Sequence, residues 1–165
     1  ITAMKMNLIT FSVRKKAVYE RIFAISAYTV RAREAMGVPS ENAERMLVTA
    51  DDKQFLTPFI DNSISEIFTE IIHYHSNCSV GFCKDEKDED EDYYIFNLRT
   101  PANYAVSNQN KLEQRVRSFV ANRTLQSWYS YINPNEASII ALNAQNDLAT
   151  LQALLTHRSK PSNSL

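Results

Sequence analysis

Four side chains able to bind a metal cluster in one stretch: His73, His75, Cys78 and Cys83. Two imidazoles and two thiols are the ligand set of a tetrahedral zinc site. Their spacing argues against one. His73 and His75 are two apart in a helical pattern and so point in different directions. Cys78 and Cys83 lack the tight cysteine-pair spacing, and in a strand they face opposite sides unless a bulge intervenes at Gly81. They remain weak metal candidates, and neither a metal nor a cofactor is expected. The acids of Asp85–Asp92 alternate as in calcium loops, but the central glycine and the final glutamate are missing.

Nucleophilic and hydrolytic chemistry fare no better. There is no Gly-x-Ser-x-Gly elbow, and His73, His75 and His157 have no serine or cysteine partner in a recognisable arrangement. Asp51, Asp52 and Asp61 read as helix caps and helix surface more readily than as a hydrolytic carboxylate pair. Tyr93, Tyr94 and Phe96 could stack nucleobases. The neighbouring acidic block would repel phosphates, so cross-strand packing is the better reading. The expectation is a protein without enzymatic activity.

Composition narrows the scaffold. The chain has 165 residues, 44% of them hydrophobic, which suffices for one domain with a real core. Its 18 basic and 19 acidic residues nearly cancel, so global charge does not point to nucleic acid. Only Gly37 and Gly81 are glycines, which removes glycine-rich phosphate loops and disfavours a many-turned sandwich. Two cysteines are too few for a disulfide framework, so a reducing site of synthesis is expected. No secretory leader is visible, and no apolar run reaches the ~20 residues of a membrane span. Met4 or Met6 could be the true start.

The longest-range pattern lies in Asn108–Leu155, which reads as two helices folded back on each other. The first places Leu112, Val116, Phe119, Val120, Thr124 and Trp128 on one face. Asn133-Pro134-Asn135-Glu136 then supplies a cap, a first-turn proline and an acid. The second aligns Ala137, Ala141, Ala144, Leu148, Leu151 and Leu155. Upstream, Asn7–Val13 alternates like an edge strand or extended arm. Arg14–Met36 is helical, with Ala17, Val18, Ile22, Ile25 and Tyr28 inward and Gly37 as its stop. Its other face carries Lys15, Arg21, Arg31 and Arg33.

Ser40–Ala50 is a connector with a helical turn near Ala43–Met46. Thr49-Ala50-Asp51-Asp52 caps a strongly apolar helix running to about His75, which is placed centrally; Pro58 either starts or kinks it. Cys78–Cys83 and Tyr93–Leu98 have the two-residue period of strands. The charge block between them, 84–92, resists burial and is expected to form a mobile hairpin tip. The fold class is therefore mainly α (α+β): an antiparallel bundle of about four helices with one inserted β-hairpin, an N-terminal arm and a flexible tail at 159–165.

Several stretches resemble a family of small virion proteins of tailed phages and prophages. They are Ile9-Thr10-Phe11, Lys16-Ala17-Val18-Tyr19-Glu20, Tyr28-Thr29 and Arg45-Met46-Leu47-Val48-Thr49-Ala50-Asp51-Asp52. Further on come Leu98-Arg99-Thr100-Pro101, Leu125-Gln126-Ser127-Trp128-Tyr129-Ser130, Glu136-Ala137 and Arg158-Ser159-Lys160-Pro161. The tip at 84–92 has no counterpart in that family. The element order is also similar to head–tail connector (adaptor) proteins that form a ring beneath the portal.

The resemblance implies a single connector-like domain over 1–165, in a closed homo-oligomeric ring of twelve copies. The ring would sit at the virion neck between the portal protein and the next neck or tail protein. Genomic DNA would pass through its channel without sequence-specific binding, and the subunit would be made in the bacterial host cytoplasm with no membrane association. Heterologous interfaces of such a ring need two complementary patches. The candidates are Arg21, Arg31 and Arg33 on the first helix against Asp85, Glu86, Asp88, Glu89 and Asp90 on the tip, with Lys160 and Pro161 in a flexible tail that could fold on binding a partner. Competing readings are a tail-completion or stopper protein, a helical regulatory module of a bacterial cell, and a metal-dependent enzyme using the His73–Cys83 region.

Overall fold

The computed structural model describes residues 6–157. In chain order the elements are β1 (Met6–Arg14), α1 (Lys15–Ala35), α2 (Ser40–Glu44), α3 (Lys53–Tyr74), β2 (Cys78–Cys83), β3 (Tyr93–Pro101), α4 (Gln109–Ile132) and α5 (Pro134–Thr156). The fold is α+β, five helices with a three-stranded antiparallel sheet in the order β1-β3-β2. The N-terminal stretch is therefore no free arm. Ile9, Phe11 and Val13 alternate inward and pair with Leu98, Phe96 and Tyr94 of β3, so β1 completes the hairpin as its third strand. A strand with one apolar face cannot leave that face in water when a matching strand edge is beside it.

The inner face of the sheet joins the apolar faces of the helices in a single buried cluster. From the sheet come Ile9, Phe96 and Leu98; from α3, Ile60, Ile64, Ile67 and Ile71; from α4, Leu112, Val116 and Phe119. The packing centre is α4, which touches α1, α3, α5 and β1. This corrects the placement of α3 at the middle. Apolar content ranks α3 first, but α4 is enclosed on more sides and buries polar Ser118, Asn122 and Thr124 as well as its apolar stripe. A helix surrounded by partners has little need of a clean hydrophilic face.

Local signals set the helix ends as the sequence implies. Gly37 has φ 92°, and the Gly37 and Val38 amides donate to Glu34 and Arg33 carbonyls at 3.0 Å, closing α1 in a left-handed cap. At the start of α3, the Thr49 amide donates to the Asp52 carboxylate at 2.9 Å. Asn133 accepts from the Glu136 amide at 3.3 Å, and Pro134 begins α5.

Two inward faces differ from expectation. On α1, Tyr28 is 75% exposed, while Ser26 and Thr29 are buried. The connector runs against this side, and Ser26 Oγ accepts the Val48 amide at 3.1 Å. On α5, Ala137, Ala144, Leu151 and Leu155 are buried as expected, but Ile140 and Asp147 are buried where Ala141 and Leu148, both half-buried, were expected.

Pro58 lies inside α3, which begins earlier, at Lys53. A proline there removes one backbone donor and crowds the preceding turn. Pro58 is exposed, so replacing it disturbs no core contact. Pro58→Ala is expected to raise the unfolding free energy by about 1–2 kcal/mol, less than the full helix-interior penalty because the unfolded chain gains freedom. Urea denaturation measures it, and an unchanged or lower midpoint contradicts it.

Candidate functional site

The metal candidates do not converge. His75 is buried, donates from Nε2 to the Leu155 carbonyl at 2.7 Å, and meets the Tyr104 ring edge-on. His73 is exposed beside Tyr74. Cys78 pairs in register with Leu98 and Cys83 with Tyr93, so the thiols lie on opposite faces of the sheet and both are free. Among the described residues no group of three or more His, Cys, Asp or Glu could hold an ion.

Burial pushes the Cys78 thiol up to about 11. In a Cys83→Ser variant, the remaining thiol should alkylate at pH 8 on the order of a hundredfold more slowly than an ordinary exposed cysteine, because the thiolate is the reactive form. Iodoacetamide kinetics measure this, and an ordinary rate contradicts it.

The aromatic strand residues and the acids of α3 are structural. Phe96 stacks on Phe11 with ring centres 5.0 Å apart. Tyr94 donates its hydroxyl to Asp61, and burial together with that carboxylate raises the Tyr94 pKa.

The acidic segment is more ordered than its charge implies. Asp92 is buried, and its carboxylate accepts the Asp85 amide at 2.6 Å while its carbonyl accepts the Lys15 amide at 2.9 Å. Asp85 in turn accepts the Lys87 and Asp88 amides at 2.8 and 3.2 Å, a local turn typical of aspartate. Glu91 forms ion pairs with Arg14 and Lys16. One carboxylate is therefore buried in a block expected to resist burial, because it accepts the Asp85 backbone amide across the turn.

Glu86, Asp88 and Glu89 remain exposed at the end. The side chain of Asp90, and Lys160 and Pro161, lie outside the described residues. Neutralising exposed Glu86 and Glu89 (Glu86→Gln, Glu89→Gln) should change stability by less than about 0.5 kcal/mol. Asp92→Ala should cost about 1–2 kcal/mol, because the half-buried Asp85 amide loses its acceptor. Parallel urea curves test the contrast, and equal costs for the two variants overturn it.

The predicted basic residues of α1 divide. Arg33 forms an ion pair with buried Glu136, and the hydrogen bond to that carboxylate raises its pKa further. Arg31 is exposed. Arg21 reaches across to α4, donating to Ser118 Oγ at 3.0 Å, and lines a cavity of about 460 Å³ between α1, α4 and α5. Lys111, Gln114, Arg115 and Arg117 from α4 and Thr150 from α5 complete its walls, and no carboxylate lines it.

Beside the cavity, buried Asp147 accepts from Arg115 Nη1 at 2.9 Å, Ser118 Oγ at 2.8 Å and Asn122 Nδ2 at 2.7 Å. Arg117 pairs with Glu113 at 3.1 Å. Arg21 and Lys111 have no carboxylate within ion-pair distance among the described residues.

The groove gathers four cations, two of them without a carboxylate partner among the described residues, and of these four the sequence pointed to Arg21. The signals were present. Lys111, Gln114, Arg115 and Ser118 have helical spacing beside the apolar stripe, and Asp147 interrupts an otherwise apolar seam. Comparison with family models, curated proteins and solved structures gives no significant match. Among the described residues no helix is long and apolar enough to cross a membrane.

Proposed function

We propose that the chain is a structural virion protein of a tailed phage, a head–tail connector subunit that forms a ring between portal and tail and lines the DNA channel. The observation that carries the reading is the segregation of charge. Exposed Glu86 and Glu89 lie on a hairpin braced against α1, while Arg31 is exposed on α1 itself. Two different, complementary patches on one subunit are what a closed head-to-tail ring requires. The four long helices would act as an antiparallel bundle carrying the sheet. The sequence resemblance to phage neck proteins supports the same reading. The buried polar side chains Asp147, Glu136 and His75 are committed to bonds that hold helices together, which favours a role without catalysis.

Electron microscopy of the purified chain, alone and with the portal protein, tests the proposal. Closed rings of about twelve copies seated on the portal are expected. A chain that stays monomeric at tens of micromolar with portal present, or that is absent from purified virions, overturns it. The neutralised-tip variant then separates two tasks. Lost rings place the tip between subunits, whereas intact rings with impaired DNA passage place it facing the channel.

A further inference from the structure

We infer that the groove between α1, α4 and α5 binds a compact dianion of the phosphomonoester class. The inference does not depend on the connector reading, since it rests on the groove alone. Of the four cations lining the cavity, Arg115 is matched by Asp147 and Arg117 by Glu113, which among the described residues leaves Arg21 and Lys111 without a carboxylate partner. Two unmatched positive charges facing one concave space favour a single centre carrying two negative charges. A monoester phosphate is such a centre near neutral pH, because its second ionisation lies near pH 6.

The donors suit it as well. Guanidinium groups present paired N–H bonds that match phosphate oxygens, and an ammonium adds a point charge. The Gln114 amide from α4 and the Thr150 hydroxyl from α5 supply neutral donors. The cavity of about 460 Å³ falls in the range of small-ligand pockets, so space remains for the organic part of the ester. The acidic tip of a second copy is the rival occupant. It offers separate single-charged carboxylates on a broad hairpin end, and Asp85, Glu91 and Asp92 of that tip are already bonded within the chain.

The test is calorimetric titration of the full chain with phenyl phosphate at fixed ionic strength, repeated with a peptide of residues 84–92 and with a duplex DNA lacking terminal phosphates. Saturable one-to-one binding of phenyl phosphate is expected, weakening as pH falls through about 6. Arg21→Gln and Lys111→Gln should each weaken it at least tenfold, while Arg31→Gln, at an exposed site on the same helix outside the groove, should leave it unchanged. Far-UV circular dichroism confirms that the variants fold. Absence of phenyl phosphate binding, equal loss with Arg31→Gln, or preferential binding of the peptide or the DNA overturns the assignment.

Discussion

Replacing Asp147 with alanine should lower the unfolding free energy by about 3–5 kcal/mol, the cost of breaking a buried charged network from its central member. Asp147 is 4% exposed and holds three donors from α4 at 2.7–2.9 Å. Without the carboxylate, Asn122 Nδ2 faces a buried space with no acceptor, and Ser118 must find another partner. Arg115 loses little, because its side chain is 40% exposed and water replaces the carboxylate.

The expected penalty therefore sits with the two buried neutral donors more than with the ion pair. At a few degrees per kcal/mol, the melting temperature should fall by on the order of 10 °C. Arg115→Ala should cost under about 1 kcal/mol. Replacing Ser118, Asn122 and Asp147 together with apolar residues of similar size should recover most of the loss, since a buried polar network often specifies an arrangement without adding net stability. Urea denaturation of the three proteins decides the matter. An Asp147→Ala penalty below 1 kcal/mol, or an Arg115→Ala penalty equal to it, would show that the network is not what joins α4 to α5.

Asp147 also shows where the sequence could be read and where it could not. Elements with a strong local cause were legible. The glycine stop of α1, the Asn133-Pro134 start of α5 and the alternation of β3 each depend on neighbours in sequence, and the structure has them where expected. What escaped depends on partners far along the chain. That β1 closes the sheet requires knowing that its Ile9, Phe11 and Val13 meet Leu98, Phe96 and Tyr94, more than eighty residues away.

The burial of Asp147 in place of Leu148 on α5 has the same origin. Leu148 is the more hydrophobic choice by residue type, but Asp147 can be buried because Ser118 and Asn122 are waiting on α4. Periodicity ranks residues singly, whereas burial of a charge is decided by pairs. The metal candidates failed for a related reason. Closeness along the chain brought His73, His75, Cys78 and Cys83 together on paper, and a helix end followed by an alternating strand then separated them. The groove was half legible, through Arg21 alone, because its remaining cations come from a helix whose interest in the sequence lay in its apolar face.

The sheet's seat on the helices yields the second large effect. Phe96 is fully buried at the centre of β3, with Phe11 on one side and Val80 on the other. Phe96→Ala should cost about 3–5 kcal/mol, combining the lost transfer of a ring from water with the cavity left where the sheet meets α3 and α4. Phe11→Ala removes the other half of the stacked pair, whose ring planes are 9° apart. The double variant should therefore cost about 0.5–1.5 kcal/mol less than the sum of the singles, because the aromatic contact can be lost only once.

Phe82 provides the contrast. It lies on the same hairpin but is 51% exposed, so Phe82→Ala should cost about 1 kcal/mol or less. A hairpin that were merely a protruding arm would show similar, small losses at Phe82 and Phe96. A strand seated in the core shows a large loss at Phe96 and coupling to Phe11, and denaturation of the four variants distinguishes the two. The large loss is expected because β3 is paired on both edges and apolar on its inner face, so a void at Phe96 has no water to fill it and no loop nearby to collapse into it.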